Sequence, residues 1–297
     1  MDTKILLERY AAGCRDFQSA ILLGSKLVGV VLSYADLSHA NLVNSDLAGT
    51  YLVEANLSGA NLTNVNFSGT KLVGSNFTAA DLTEADLTEA DLSCADLVRA
   101  HLVNTHLVSS QLIRADLRQA DLSNAQLINA DLSYANLEGV ILFGANLIGA
   151  DLSGTVLTGV DLSGVNLSGT SVDQTTKIDP KWRLVQSILT QGAIGRNLSS
   201  CDLSRANLIG ANLTRANLMG ASFRGAILNG ANLSGTLVRE ADFSGALGLS
   251  KNTQQSLKAR GAIFDRAEHS ITLPLNEATV LVAQPKNSQS VSPRISA

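Results

Sequence analysis

Two histidines, His101 and His106, are the side chains of this sequence best suited to acid–base or metal chemistry. His101 stands twenty residues after Asp81 and twenty residues before Asp121. An imidazole can bind a metal ion or act as a base where the fold brings carboxylates beside it. Both histidines occupy positions predicted to face outward on a convex surface without a cleft, so we interpret them as solvated and expect no metal site.

Other chemistry-bearing residues are scattered along the chain. Three cysteines, Cys14, Cys94 and Cys201, are far apart and odd in number. They make neither a disulfide framework nor a metal-ligand set, which favours a reducing compartment. No nucleophile–base set, phosphate-binding loop or pair of catalytic carboxylates is recognisable. We therefore expect a protein without catalytic activity and without a cofactor.

Composition narrows the functional classes further. Charged residues make up 16% of the 297 residues and the net charge is −4, which argues against a general nucleic-acid binder. The first residues lack a secretory pattern, and no run of about 18 apolar residues is present. We expect a cytoplasmic protein that does not enter a membrane.

A five-residue repeat is the element that must position these side chains. From Phe17 to Leu167 every fifth residue is Leu or Phe, thirty-one times in succession. Two residues before this central residue stands Ala, Ser, Thr or Val in thirty repeats, and one residue before it Asp or Asn in twenty. Such an alternation, reset every five residues, predicts short extended sides joined by turns, with the central and small residues inside.

These repeats, for example Ala80-Asp81-Leu82-Thr83-Glu84, resemble those of the pentapeptide-repeat family, whose consensus is Ala-(Asp/Asn)-Leu-X-X. The resemblance implies an all-β solenoid, a right-handed quadrilateral β-helix with one pentapeptide per side and twenty residues per coil. The segments 6–13 and 177–185 further resemble cyanobacterial members of the family. One such group regulates heterocyst differentiation by contacting a transcription factor.

The pattern divides the chain into six segments. We predict an N-terminal capping helix at 1–15, a pentapeptide-repeat β-helix at 16–170, an inserted loop with an amphipathic helix at 171–197, a second β-helical block at 198–248, a C-terminal helical cap at 249–264 and a flexible tail at 265–297. The inserted helix is expected to be capped by Asp179, to begin at Pro180 and to end at Gly192.

With twenty residues per coil, residues twenty apart stack in columns, and the surface charge can be mapped. Residues 31–170 hold fifteen Asp or Glu against four Lys or Arg, a net charge of −11. Four aspartates would form a ring around one coil, the acidic ring: Asp81, Asp86, Asp91 and Asp96. Some family members resemble DNA in surface charge and bind DNA gyrase, so a DNA-mimicking acidic rod is the alternative function. Its charge density, one per ~3 Å over seven coils of ~4.8 Å, is about half that of duplex DNA.

Apolar residues stand at outward positions near the end of the first block. The position after the central residue is mostly polar, yet apolar residues also occupy it, and five of them form what we call the apolar patch: Val103, Val108, Ile128, Phe143 and Ile148. A contiguous exposed patch of this kind indicates an interface. Two interpretations stay open. Either the inserted helix folds back and covers the patch with Trp182, Val185 and Leu189, or the patch and this helix are open to a partner.

The sequence as a whole predicts a non-enzymatic protein-interaction scaffold or regulator. Its partner is expected to be another protein, as in the heterocyst-regulating relatives. We expect no direct binding to nucleic acid or to membranes, and a monomer or weak homodimer.

Overall fold

A parallel pairing between residues twenty apart organises the computed structural model, which describes residues 1–264 as part of one compact unit. Asp81, for example, forms parallel bridges with Asn61 on one side and His101 on the other. The backbone N–H of Leu82 donates to the His101 carbonyl at 2.8 Å, and the N–H of His101 donates to the Ala80 carbonyl at 2.9 Å. One coil therefore contains twenty residues, or four pentapeptides.

A pentapeptide typically contributes a single bridging residue to this stack, and the described residues contain isolated bridges in place of longer strands. The cause is a turn two residues after each central residue, where the backbone enters the left-handed region. Glu84 has φ +60° and Gly144 has φ +69°. Left-handed backbone costs an L-residue about 1–2 kcal/mol, yet twenty-two non-glycine residues within 1–264 adopt positive φ. The stack imposes this turn whatever residue occupies it.

The core is one continuous column of central residues. All thirty-one from Phe17 to Leu167 are at most 2% exposed. The small residues beside them also point inward, and hydroxyls among them donate to the carbonyl of a central residue, either three residues back or on the preceding coil. Thr50 Oγ1 donates to the Leu27 carbonyl at 2.7 Å, and Thr70 Oγ1 to the Leu47 carbonyl at 2.8 Å. Ser and Thr therefore replace Ala there without leaving a buried polar group unpaired.

The helix α1, Thr3–Ala11, lies at the start of the stack. The Asp2 carboxylate caps it by accepting from the N–H of Lys4 at 3.1 Å. Leu6 is fully buried, and the Tyr10 hydroxyl donates to the Ser33 carbonyl at 2.9 Å. α1 thus covers apolar surface that the first coil would otherwise expose.

The helix α2, Pro180–Gln191, begins and ends at the predicted residues, but the cap differs from the prediction. The Asp179 side chain makes no capping hydrogen bond, because its Oδ1 accepts instead from the Gly159 N–H at 3.5 Å. The first block also extends further than expected, since Lys177 still forms a parallel bridge with Val156.

The second repeat block packs directly on the first. Its pairing begins where the Ala193 N–H donates to the Asn212 carbonyl at 2.8 Å. Gly164 N–H donates to the Arg205 carbonyl at 2.9 Å, and Asn207 Nδ2 donates to the Gly164 carbonyl at 3.1 Å. Residue 164 thus meets residue 205, about two coil lengths along the chain, because α2 occupies the intervening segment.

The helix α3, Lys251–Ala259, follows the second block. Ser250 Oγ caps it by accepting from the Thr253 N–H at 3.1 Å, and Leu257 is fully buried. The chain then returns to the last coil, where Ile263 bridges Asp242. None of the helices found in residues 1–264 is long and apolar enough to cross a bilayer. The predicted tail at 265–297 lies outside the described residues.

Candidate protein-interaction surface

The longest column of the apolar patch runs over three successive coils of one side. Ser109 N–H donates to the Ile128 carbonyl at 2.9 Å, and Asn129 N–H donates to the Ile148 carbonyl at 2.8 Å. These bonds place Val108, Ile128 and Ile148 one above the other. These three of the five patch residues therefore form a continuous apolar column.

The neighbouring side carries Val103 and Phe143, with Ser123 on the coil between them. Asn104 N–H donates to the Ser123 carbonyl at 2.9 Å, and Asn124 N–H donates to the Phe143 carbonyl at 2.8 Å. The two columns therefore flank one corner of the stack, and the structure brings all five patch residues together as a surface strip.

The strip is most exposed to solvent at the end formed by Phe143 and Ile148. Phe143 is 56% exposed and Ile148 37%, and the adjacent Ile141 is 50% exposed. Val103, Val108 and Ile128 are half-buried. The interpretation in which α2 covers the patch is therefore wrong for Phe143 and Ile148, which remain open.

The apolar face of α2 is buried elsewhere in the chain. Trp182 is 5% exposed, and Val185 and Ile188 are buried in the same core. Leu189 is partly buried against that core. A partner cannot reach Trp182 or Val185 without moving α2, so the predicted interaction role of this helix face is replaced by packing within the chain.

Hydrogen bonds to the end of the first block explain where α2 lies. Gln186 Nε2 donates to the Thr170 carbonyl at 2.6 Å. The Arg183 guanidinium donates to the carbonyls of Asp173 at 3.1 Å and Thr176 at 2.6 Å. These donors satisfy carbonyls that have lost the next coil, and so tie the helix to residues 170–176 and not to the patch.

The acidic ring is built into the turns of its coil. Each of its four aspartates accepts a hydrogen bond from the backbone N–H two residues later, as in an Asx-turn. The N–H···Oδ1 distances are 3.0 Å from Thr83 to Asp81, 2.9 Å from Thr88 to Asp86, 3.2 Å from Ser93 to Asp91 and 3.0 Å from Val98 to Asp96. These carboxylates therefore have a structural task, which the prediction of a merely charged ring missed.

The electrostatics of Asp81 follow from this turn. Partial burial acts to raise the pKa of its carboxyl, but the hydroxyl and backbone N–H of Thr83 outweigh it, helped by His101. The pKa of Asp81 therefore lies below its ordinary value. A second case is Asp116, whose pKa is lowered mainly by the hydrogen-bonded Arg118 guanidinium, at 2.6 Å. Both carboxylates stay ionised in the folded chain near neutral pH.

The histidines lie where the column arithmetic predicts. The backbone of His101 forms parallel β-bridges with Asp81 and Asp121, and the backbone of His106 forms them with Asp86 and Gln126. Both are exposed. Over residues 1–264, no group of three or more His, Cys, Asp or Glu is arranged to hold a metal ion.

Comparison with known proteins places the repeats of this chain in a family. Eight copies of the profile named Pentapeptide repeats match the chain, at residues 16–49, 40–78, 70–107, 80–119, 105–142, 141–176, 197–235 and 226–247. No curated protein sequence matches significantly.

Solved structures of similar sequence are also found. HetL, a pentapeptide repeat protein involved in heterocyst differentiation regulation from the cyanobacterium Nostoc sp. strain PCC 7120, is 34% identical over 83% of this chain and 96% of HetL, with a TM-score of 0.35. The pentapeptide repeat protein alr5209 from Nostoc PCC 7120 is 26% identical over 58% of this chain and 96% of its own, with a TM-score of 0.25. QnrB1, a plasmid-mediated fluoroquinolone resistance protein, is 19% identical over 52% of this chain and 92% of its own, with a TM-score of 0.30.

Proposed function

The chain belongs to the family of pentapeptide repeat proteins, and on that premise we propose that it is a non-enzymatic scaffold or regulator that binds another protein through the apolar patch. In this proposal the coils form a right-handed, four-sided β-helix. The protein works in the cytoplasm, a placement that its three free cysteines favour.

The observation that carries the proposal is the exposure of Phe143 and Ile148 at positions that are mostly polar elsewhere in the stack. Together with Ile141, they leave about half of three large apolar side chains in water. Covering the rest would contribute roughly 2–4 kcal/mol, from about 1.5–3 kcal/mol for each fully buried side chain. A partner that covers these three side chains would gain this free energy on binding.

Charge near the patch indicates what the partner presents. The backbone of Asp121 forms a β-bridge with Ile141, so this aspartate lies one coil from Ile141 in the same column. Residues 31–170 of the first block carry a net negative charge. A partner surface with apolar residues at its centre and Lys or Arg at its rim would complement this arrangement.

Capture from an extract of the native host tests the proposal. The tagged wild type is compared with a Phe143→Asp, Ile148→Asp variant and with a Thr63→Asp, Ser68→Asp variant. The second pair lies in the same two columns four coils away, so it adds the same charge outside the patch. We expect the wild type and the control to retain a partner that the patch variant loses. Equal capture by all three proteins would contradict the proposal.

A second candidate function is the DNA-mimicking acidic rod that binds gyrase, and the net charge of −11 over residues 31–170 favours it. Its test is DNA supercoiling by gyrase in the presence of a large excess of the purified protein. Inhibition that disappears when the acidic ring is changed to asparagine would support mimicry. Full supercoiling activity would exclude it.

A further inference from the structure

One step of the hydrogen-bonded ladder is open beside the exposed end of the apolar patch. Within residues 1–264, no hydrogen-bond partner is found for the backbone N–H groups of Gly139, Leu142, Gly144 and Asp161. In the regular ladder these four groups would bond the coil that contains Ile141 to the coil above it. The parallel bridge that would join Ile141 to Asp161 is likewise absent from the bridges of these residues.

The same step is complete elsewhere, so the gap is local. One coil below, the four equivalent bonds are present at 2.8–3.0 Å, donated by the N–H groups of Gln119, Leu122, Asn124 and Ile141. The sides next to the gap also stay bonded: Leu137 N–H donates to the Val156 carbonyl at 3.0 Å, and Leu147 N–H donates to the Asn166 carbonyl at 3.1 Å. The gap is therefore confined to one side of one coil.

The chain above the gap is residues 158–163, which we call the strap. Near its start, Gly159 N–H donates to Asp179 Oδ1 at 3.5 Å, just before α2. Directly after it, Gly164 N–H donates to the Arg205 carbonyl at 2.9 Å, and the Gly164 carbonyl accepts from Asn207 Nδ2 at 3.1 Å. The strap is thus held from above, by α2 and the second block, and not by the coil below.

The thickness of α2 explains why the strap is drawn away from that coil. The helix bonds to both blocks: Gln186 Nε2 donates to the Thr170 carbonyl at 2.6 Å, and Lys181 Nζ donates to Ser204 Oγ at 3.0 Å. An α-helix with its side chains is about 10 Å across, about twice the ~4.8 Å spacing of two coils. The second block is therefore held away from the first by more than one layer where α2 lies between them, and the strap follows the second block.

We propose that the strap moves between this open position and a closed one, in which it completes the ladder over Ile141 and Phe143. This movement rests on the proposed function, because it regulates the apolar patch of that proposal. Closing forms the four missing bonds at the expense of those that hold the strap from above. Gly159 and Gly164 have φ +73° and +74° and no neighbouring atom within 4 Å of a Cβ position, so the backbone can rotate near both ends of the strap.

Closing changes the part of the patch that a partner would contact. Phe143 is 56% exposed and Ile141 50%, and both lie in the row directly below the gap. In the closed position Asp161 and Ser163 stand one layer, ~4.8 Å, above them, so both lose exposure. Asp121, which lies under a complete step, is half-buried. The open strap therefore favours binding at the patch, and a bound partner in turn favours the open strap.

Amide hydrogen exchange of the full chain tests the open position. We expect the amides of Leu142 and Gly144 to exchange at least about tenfold faster than those of Leu122 and Asn124, because an unpaired amide needs no opening of the ladder before it exchanges. Equal protection of the two pairs would overturn the open position.

A disulfide across the gap tests the closed position. Glu138→Cys and Thr158→Cys place two thiols in one column at the start of the strap, in a Cys94→Ser background because Cys94 is exposed. In a complete step the ~4.8 Å spacing of such a column lies within the range of about 4.4–6.8 Å between Cα atoms that a disulfide accepts. The matched control is Thr78→Cys, Val98→Cys, which lies in the same column across a complete step.

Both pairs should cross-link under mild oxidation, the Glu138→Cys, Thr158→Cys pair more slowly because it must wait for the strap to close. After cross-linking, the amides of Leu142 and Gly144 should lose their fast exchange, and reduction should restore it. Cross-linking of the control pair alone would overturn the closed position. A cross-link across the gap that leaves the exchange unchanged would overturn it as well.

Capture from the extract of the native host separates this inference from the proposed function. The oxidised Glu138→Cys, Thr158→Cys bait should lose the partner that the same bait retains when reduced, whereas the control pair should retain it in both states. Equal capture in both states, with loss of the partner from the Phe143→Asp, Ile148→Asp variant, would refute regulation by the strap alone. A partner retained by the Phe143→Asp, Ile148→Asp variant would refute the proposed function, while exchange and cross-linking would still decide whether the strap moves.

Discussion

Replacing the whole acidic ring distinguishes a structural role of its carboxylates from an electrostatic one. One variant changes Asp81, Asp86, Asp91 and Asp96 to Asn, and a matched variant changes the same four residues to Ala. Asn keeps the Oδ1 acceptor for the turn N–H and removes the charge, whereas Ala removes both. Asn already occupies the equivalent position at Asn61 and Asn76.

The structure gives the expected magnitudes. Each ring aspartate accepts one backbone N–H at 2.9–3.2 Å. A net 0.5–1.5 kcal/mol per bond, the usual range, gives a loss of roughly 2–6 kcal/mol for the Ala variant. The Asn variant loses the Lys71–Asp91 ion pair, which is 3.7 Å long and partly exposed and is worth at most about 1 kcal/mol. Its free energy of unfolding should therefore stay within about 1 kcal/mol of the wild type.

Urea unfolding followed by circular dichroism measures both variants against the wild type. We expect the order wild type, Asn variant, Ala variant, with the large step between the last two. An Asn variant as unstable as the Ala variant would show that charge, and not the acceptor, holds the turns. An Ala variant as stable as the wild type would show that these hydrogen bonds contribute nothing.

Three further predictions concern other parts of the chain. Ala79 has φ +55°, so Ala79→Gly should raise the free energy of unfolding by about 1 kcal/mol, while Ala80→Gly, at the buried neighbouring position, should lower it; urea titrations compare the two. Trp182 is 5% exposed, so its fluorescence should be blue-shifted, and Trp182→Ala should cost about 3–5 kcal/mol in the same titrations. An unchanged stability would contradict the packing of α2. The pKa of Asp116 is lower in the folded chain than in the unfolded chain because of Arg118, so its contribution to stability is complete above the unfolded value of about 3.9 and is lost as the pH falls through the folded pKa. Arg118→Met should flatten this loss in acid unfolding curves below about pH 4, and an unchanged curve would refute the assignment.

The repeat and the inserted helix could be predicted because they depend on local patterns. Because Leu or Phe recurs at every fifth position, that position is expected to face the interior, and the structure buries it from Phe17 to Leu167. The Pro180 start and Gly192 end of α2 also follow from local backbone preferences. The twenty-residue coil came from the family resemblance, since a period of five alone does not fix the number of sides.

The position of α2 could not be predicted from its sequence. Its apolar stripe shows that the face is buried, but not against which surface. Gln186 and Arg183 fix the position of α2, because they donate hydrogen bonds to carbonyls of residues 170–176. Those acceptors exist because the regular coil stops there. The repeat pattern predicts where the coil ends, but not which side chains of α2 donate to its carbonyls.

The role of the acidic ring had a signal that was available in the sequence. The position before the central residue accepts both Asp and Asn, which share an Oδ1 acceptor but not a charge. This alternation indicates a hydrogen-bonding requirement in preference to an electrostatic one. Ile21 and Ile141 depart from this alternation, and both are exposed, by 61% and 50%.

Quantitative capture from the native host tests the central claim, that the apolar patch and not the acidic ring is the binding surface. The bait proteins are the wild type, the Phe143→Asp, Ile148→Asp variant and the four-Asn ring variant, and mass spectrometry measures the partner retained by each. We predict that the ring variant retains the partner like the wild type and the patch variant loses it. Loss by the ring variant with full retention by the patch variant would contradict this account of the surface.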